Sequence, residues 1–81
     1  MRILLVEDDD MIGESVMAGL ETEGHAIDWV RDGNSALLAL NTTPYSLVIL
    51  DLGLPGKDGL QVLKEMRGRR DPTPVLVTTA R

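Results

Sequence analysis

The sequence predicts an α/β fold, a doubly wound parallel sheet of four strands and three helices. Two observations carry this. Short apolar runs bounded by turn residues, such as Ile3-Leu4-Leu5-Val6 and Leu47-Val48-Ile49-Leu50, read as strands buried on both faces. Between them lie segments whose apolar residues recur every three or four positions, the mark of helices with one buried stripe. Strictly alternating strands and helices give a parallel sheet with helices on both faces.

The elements follow in order. Arg2 to Val6 is the first strand, and Asp10 to Glu23 the first helix, with Met11, Ile12, Val16, Met17 and Leu20 on its apolar stripe. Gly24 stands where a helix C-terminus favours glycine. His25 to Val30 is the second strand, Asp32-Gly33 a turn, and Asn34 to Asn41 a short helix carrying Ala36, Leu37, Ala39 and Leu40. Pro44 falls in a loop, and Ser46 to Leu50 is the third strand, leading into Asp51. Asp58 caps a helix from Gly59 to about Gly68, with Leu60, Val62, Leu63 and Met66 as its buried face. Pro72 and Pro74 mark the next loop, and Val75 to Thr79 is the fourth strand. Met11, Met17 and Met66 read as core filler.

Bulk properties narrow the function. With 81 residues the chain forms one domain at most, and a domain of that size buries only about 60–65% of its unfolded surface. An apolar content of 43% and a charged content of 26% describe a globular chain rather than a disordered one. The sequence shows neither a membrane-spanning stretch nor a signal-peptide pattern, so the expected location is the cytoplasm and no membrane partner is expected. Without cysteine there is no disulfide framework and no thiolate metal site. A net charge of −5 argues against a phosphate-gripping surface, and two aromatic residues, Trp29 and Tyr45, build no stacking platform for bases.

The chemistry gathers on acids that end apolar runs. Asp51 follows Leu50, and Glu7-Asp8-Asp9-Asp10 follow Val6. Open α/β sheets place their ligands at such carboxyl ends of strands. If the two strands are neighbours, several carboxylates converge, which is costly unless a cation joins them; an all-oxygen donor set favours Mg²⁺. An aspartate in that setting can act as a nucleophile and form an acyl phosphate. Glu7, Asp8 and the backbone carbonyl of Gly53 are the candidate partners of the ion, and Thr79 is a candidate hydroxyl donor on the same rim. Asp9 and Asp10 read instead as first-turn acids favoured by the helix dipole. His25 has no second histidine to share a metal and reads as a strand-end residue. Lys57 and Lys64 fall in the loop and helix after Asp51, poorly placed to answer a phosphoryl group.

These blocks together resemble the receiver domain of two-component response regulators. They are Met1 to Asp9, Asp32-Gly33, Val48 to Gly59 with its Asp51-Leu52-Gly53-Leu54-Pro55-Gly56, and Pro74 to Arg81, in the family's order along the whole chain. The wording is most similar to the subfamily whose members carry a C-terminal winged-helix DNA-binding domain. The resemblance implies a flavodoxin-like sheet, with Asp51 as phosphoacceptor served by a sensor histidine kinase. It implies Mg²⁺ at Glu7, Asp8, Asp51 and the Gly53 carbonyl, Thr79 as switch hydroxyl, and Pro55 and Gly59 shaping the loop after Asp51. The implied protein is a self-phosphorylating acceptor, with possible autophosphatase activity, rather than a turnover enzyme.

Departures set further expectations. Family members have about five β/α units; residues 1–81 correspond to the first four strands and three helices, without the fifth strand's lysine, the aromatic switch residue or a DNA-binding domain. Contact with DNA is thus expected only through a further domain. The alternative reading is an interaction fragment that takes no phosphate. Gly53 and Thr78 stand where the family usually has a side chain and an apolar residue. Strand four is expected to present an unpaired apolar edge, favouring self-association or segment exchange, and the first helix to leave Met11, Ile12 and Val16 uncovered. A dehalogenase-type phosphatase needs a second aspartate at position 53, where glycine stands, and a nucleotide-binding module wants a glycine-rich rather than an acidic loop after strand one.

Overall fold

The computed structural model of the protein describes residues 1–78. Its elements are β1 (Arg2–Val6), α1 (Asp10–Thr22), β2 (Ala26–Val30), α2 (Gly33–Thr42), β3 (Leu47–Asp51), α3 (Gly59–Gly68) and β4 (Val75–Thr78). The four strands form one parallel sheet in the order β2-β1-β3-β4. This is the expected doubly wound fold. The crossover from β1 to β2 runs one way along the sheet, while those from β2 to β3 and from β3 to β4 run the other way. Right-handed crossovers must then put α1 on one face and α2 with α3 on the opposite face.

The core obeys that division. Leu4, Val6, Val48 and Leu50 join Ala36 of α2, Val62 and Met66 of α3 and Leu54 in one cluster. Ile3, Leu5 and Ile49 face the other way, under Val16, Met17 and Leu20 of α1, with Ile27 and Trp29 of β2 alongside. β1 and β3 thus carry apolar side chains on both faces, which is why their sequences run apolar without alternation.

The helix ends are set by local chemistry. Asp9, Asp32 and Asp58 cap α1, α2 and α3, their carboxylates accepting from the amides of Ile12, Ser35 and Gln61. Asp32 is therefore a cap and Gly33 the first helical residue, rather than a free turn. The Ser35 amide and hydroxyl hold the Asp32 carboxyl below the usual carboxylate range. α1 ends one residue before the expected Glu23, because Gly24 turns the chain at φ 89° while the amides of Gly24 and His25 bond back to the carbonyls of Glu21 and Leu20. α3 ends in the same way, with Arg70 at φ 59° and the amides of Arg70 and Asp71 on the carbonyls of Arg67 and Met66. No sequence signal marks that second turn, since arginine there carries a backbone strain of about 1–2 kcal/mol that glycine avoids.

Two expectations about burial fail. Met11 is 80% exposed and Leu60 is 50% exposed, so neither belongs to the core. Met11 lies on the α1 stripe, but no element covers that end of α1's face among the described residues; it matches the uncovered surface expected of α1 rather than core filler. Leu60 sits in the first turn of α3, whose buried residues are Gly59, Val62 and Met66. Strand four is exposed as expected, with Leu76 at 55% and Val77 at 39%.

Candidate functional site

β1 and β3 are adjacent, and their chain continuations leave in opposite directions. The crevice outside their carboxyl ends is the topological switch point of the sheet. Register decides what enters it. Val6 pairs with Leu50, so Glu7 leaves β1 level with Asp51, the last residue of β3. Asp51 falls inside the strand, one position beyond the expected end, because β4 extends the pairing through Thr78.

The structure brings together the three acids that the sequence singles out. One carboxylate oxygen from each of Glu7, Asp8 and Asp51 lies within 4.8 Å of the others. Glu7 is 3% exposed and Asp51 is 2% exposed, so the charge sits at the floor of the crevice rather than on its rim. Carboxylates that close and that dry repel by roughly a few kcal/mol per pair. Their oxygens form a hard donor set, which suits Mg²⁺.

Backbone contacts fix these side chains. The Asp51 Oδ1 accepts from the Gly53 amide at 3.0 Å, curling the chain after β3 back toward the carboxylate. The Glu7 carboxylate accepts from the Asp9 amide at 3.0 Å. The first turn of α3 crosses directly over the β3 end: a Cβ at Gly59 would lie 2.4 Å from the Asp51 carbonyl oxygen and 2.9 Å from the Leu52 Cα. Glycine at 59 is therefore required by space, which gives a physical reason for the role that the resemblance implied.

The remaining acids and cations sort as follows. Asp9 is the α1 cap, and Asp10 pairs with Arg31; neither belongs to the acidic cluster. Lys57 reaches Glu65 at 2.6 Å and Lys64 lines a groove between α2 and α3, so neither is directed at Asp51. The His25 Nδ1 lies 3.3 Å from the Met1 amino nitrogen, at the opposite end of β1 from the acids. Thr79 lies outside the described residues. Its neighbour Thr78 turns its hydroxyl to the Leu50 carbonyl at 3.4 Å. Sequence reasoning missed Trp29, whose indole Nε1 donates to the Glu7 carbonyl oxygen at 2.8 Å. No motif signals that contact, because it joins a side chain of β2 to backbone 22 residues earlier.

Comparison with known proteins agrees with the fold. The family model for the response regulator receiver domain matches residues 3–81. The transcriptional regulatory protein QseB of Haemophilus influenzae is 49% identical over all 81 residues, and the chain spans 37% of that protein's length. Among solved structures, the complex of histidine kinase ThkA with response regulator protein TrrA matches with a TM-score of 0.89 and 38% identity, over 98% of this chain and 68% of the other. The MaeR response regulator bound to beryllium trifluoride matches with a TM-score of 0.91 and 29% identity, over 100% of this chain and 68% of that one.

Proposed function

The chain belongs to the response regulator receiver family, and we propose that Asp51 is its phosphoacceptor, charged by a sensor histidine kinase while Glu7, Asp8, Asp51 and the Gly53 carbonyl hold Mg²⁺. The observation that carries this reading is the convergence of three carboxylates, two of them buried, at the switch point of the sheet. An Asp51 oxygen attacks phosphorus, the P–N bond to the donor histidine breaks, and an acyl phosphate forms on Asp51. A bound Mg²⁺ supplies the charge that lets three carboxylates and a phosphoryl group share one crevice. The strand holds the Asp51 carboxylate rigidly, and the Gly53 amide fixes which way it faces. Thr79 keeps the role of switch hydroxyl that the family resemblance implies. The kinase partner is supported by the histidine kinase complex among the similar structures. A covalent phosphoryl state is supported by the beryllium trifluoride complex of a relative. We read residues 1–81 as the N-terminal part of the receiver, within a protein that reaches DNA through another domain, in keeping with the transcription regulators it resembles. Among the described residues no helix is long and apolar enough to cross a membrane.

Mg²⁺ at ten times its dissociation constant is expected to stabilise the fold by about 1.4 kcal/mol. Thermal melts with and without Mg²⁺ measure this, with Asp8→Asn as control. The shift should shrink or vanish in the variant; equal shifts in both proteins contradict the assignment.

Among the described residues β4 is one edge of the sheet, opposite β2, and it presents Leu76 and Val77. Such an edge is a template for another strand, and we read it as the route by which residues 1–81 pair with a second copy or exchange segments. Light scattering on protein of verified mass should show species larger than the monomer that Leu76→Lys reduces. A monomer at every concentration contradicts this reading.

A further inference from the structure

Trp29 does more than fill the α1 face of the sheet. Its indole N–H donates to the Glu7 carbonyl at 2.8 Å, at the point where the chain leaves β1 for the acidic turn. Two further contacts hold the ring there. The Arg31 guanidinium lies 4.2 Å from the ring centroid and is itself paired with Asp10 in the first turn of α1. On α1, Gly13 has no side chain where the ring passes: a Cβ would stand 2.1 Å from the Trp29 Cζ2 and 2.5 Å from its Cε2. Glu7 is thus held by its amide on the Val30 carbonyl, its carboxylate on the Asp9 amide and its carbonyl on Trp29.

This arrangement has a direction. Glu7 and Asp8 are the part of the acidic cluster that is not in a strand; Asp51 is the last residue of β3 and is fixed by its pairing with Thr78 of β4. The orientation of those two carboxylates depends on the peptide between them, and the oxygen of that peptide is the one Trp29 holds. Groups that orient metal ligands from behind typically change metal affinity 10–100-fold when removed. We propose that Trp29 is a positioning residue for the cation site: with Gly13 giving it room and Arg31 covering its face, it sets the Glu7–Asp8 turn so that both carboxylates meet Asp51. Trp29 touches neither the cation nor the phosphoryl group in this role. The inference rests on the reading of Glu7, Asp8 and Asp51 as the Mg²⁺ site.

Two substitutions reach the contact from opposite sides. Trp29→Phe keeps an aromatic ring and removes the N–H. Gly13→Ala keeps the indole and pushes it off the Glu7 carbonyl, while alanine favours the helix. Calorimetric Mg²⁺ titration of both variants should show a dissociation constant raised about 10-fold. Amide hydrogen exchange without Mg²⁺ should speed up at Asp8 and Asp9 and stay unchanged in β3. Unchanged Mg²⁺ affinity in both variants overturns the proposal. So does a loss of affinity that comes with faster exchange throughout β1 and β3, because that marks general loosening rather than positioning. If the wild-type chain itself takes up no Mg²⁺, or takes it up equally well as Asp51→Asn, the reading of the site fails first and the role of Trp29 fails with it.

Discussion

Leu50→Ala is expected to destabilise the protein by about 2–5 kcal/mol, the usual cost of a cavity left in a packed core. Leu50 is fully buried in β3, between β1 and β4, and packs in the cluster that α2 and α3 close. A domain of this size has on the order of 4–12 kcal/mol of total stability. The melting temperature should therefore fall by roughly 10–30 °C. Met11→Ala makes the contrast. Met11 shares an apolar helical stripe in the sequence, yet it is 80% exposed, and its removal should change stability by no more than about 0.5 kcal/mol. Denaturant unfolding of the two variants checks both figures. Similar losses at both positions would mean that α1 is covered in solution, by a second copy or by an exchanged segment.

How far the sequence reveals the molecule depends on whether a feature is local. The strands β1 and β3 were legible because residues buried on both faces leave runs with no polar break. The cap Asp58 was legible, because capping needs only a carboxylate within three residues of the amide it serves, whereas Asp9, read as a first-turn acid, is the cap of α1 instead. Glu7, Asp8 and Asp51 were legible as a site because acids at the carboxyl ends of buried strands fall where open α/β sheets bind their ligands. Their meeting within 4.8 Å needed the sheet order, which the doubly wound pattern implied and the register of Val6 with Leu50 supplies.

What stayed hidden depends on long-range packing. Periodicity places Met11 and Leu60 on apolar stripes, but it cannot tell whether another element lies above them. The positive φ of Arg70 has no signature, because the residue is held there by bonds to the end of α3 rather than by its own preference. Trp29 looked like one of two unrelated rings. Its role depends on a carbonyl of Glu7 and on the absence of a side chain at Gly13, neither of which a residue pattern records. Gly59 was read through the family resemblance alone, and its physical reason, the pass of α3 over the Asp51 carbonyl, appears only in three dimensions.

Phosphorylation carries the second large effect. A small phosphodonor should transfer one phosphoryl group to the protein, and chelating the divalent cation should slow that transfer by about 100-fold or more. The charge-stabilising groups of such sites are worth several kcal/mol, and losing one elsewhere costs about 10²–10³ in rate. Asp8→Asn should act in the same direction as chelation, since it removes one of the three converging carboxylates without touching the nucleophile.

The most direct measurement is therefore the site and cation dependence of the adduct. Intact-mass and peptide-level mass spectrometry would follow the wild type and Asp51→Asn after exposure to the phosphodonor, with Mg²⁺ and with chelator. The expected result is one phosphoryl group, located at Asp51, formed with Mg²⁺ and absent in Asp51→Asn. An adduct that survives Asp51→Asn, or that forms equally fast in chelator, would contradict the assignment of the Glu7, Asp8 and Asp51 cluster as a Mg²⁺-dependent phosphoacceptor site.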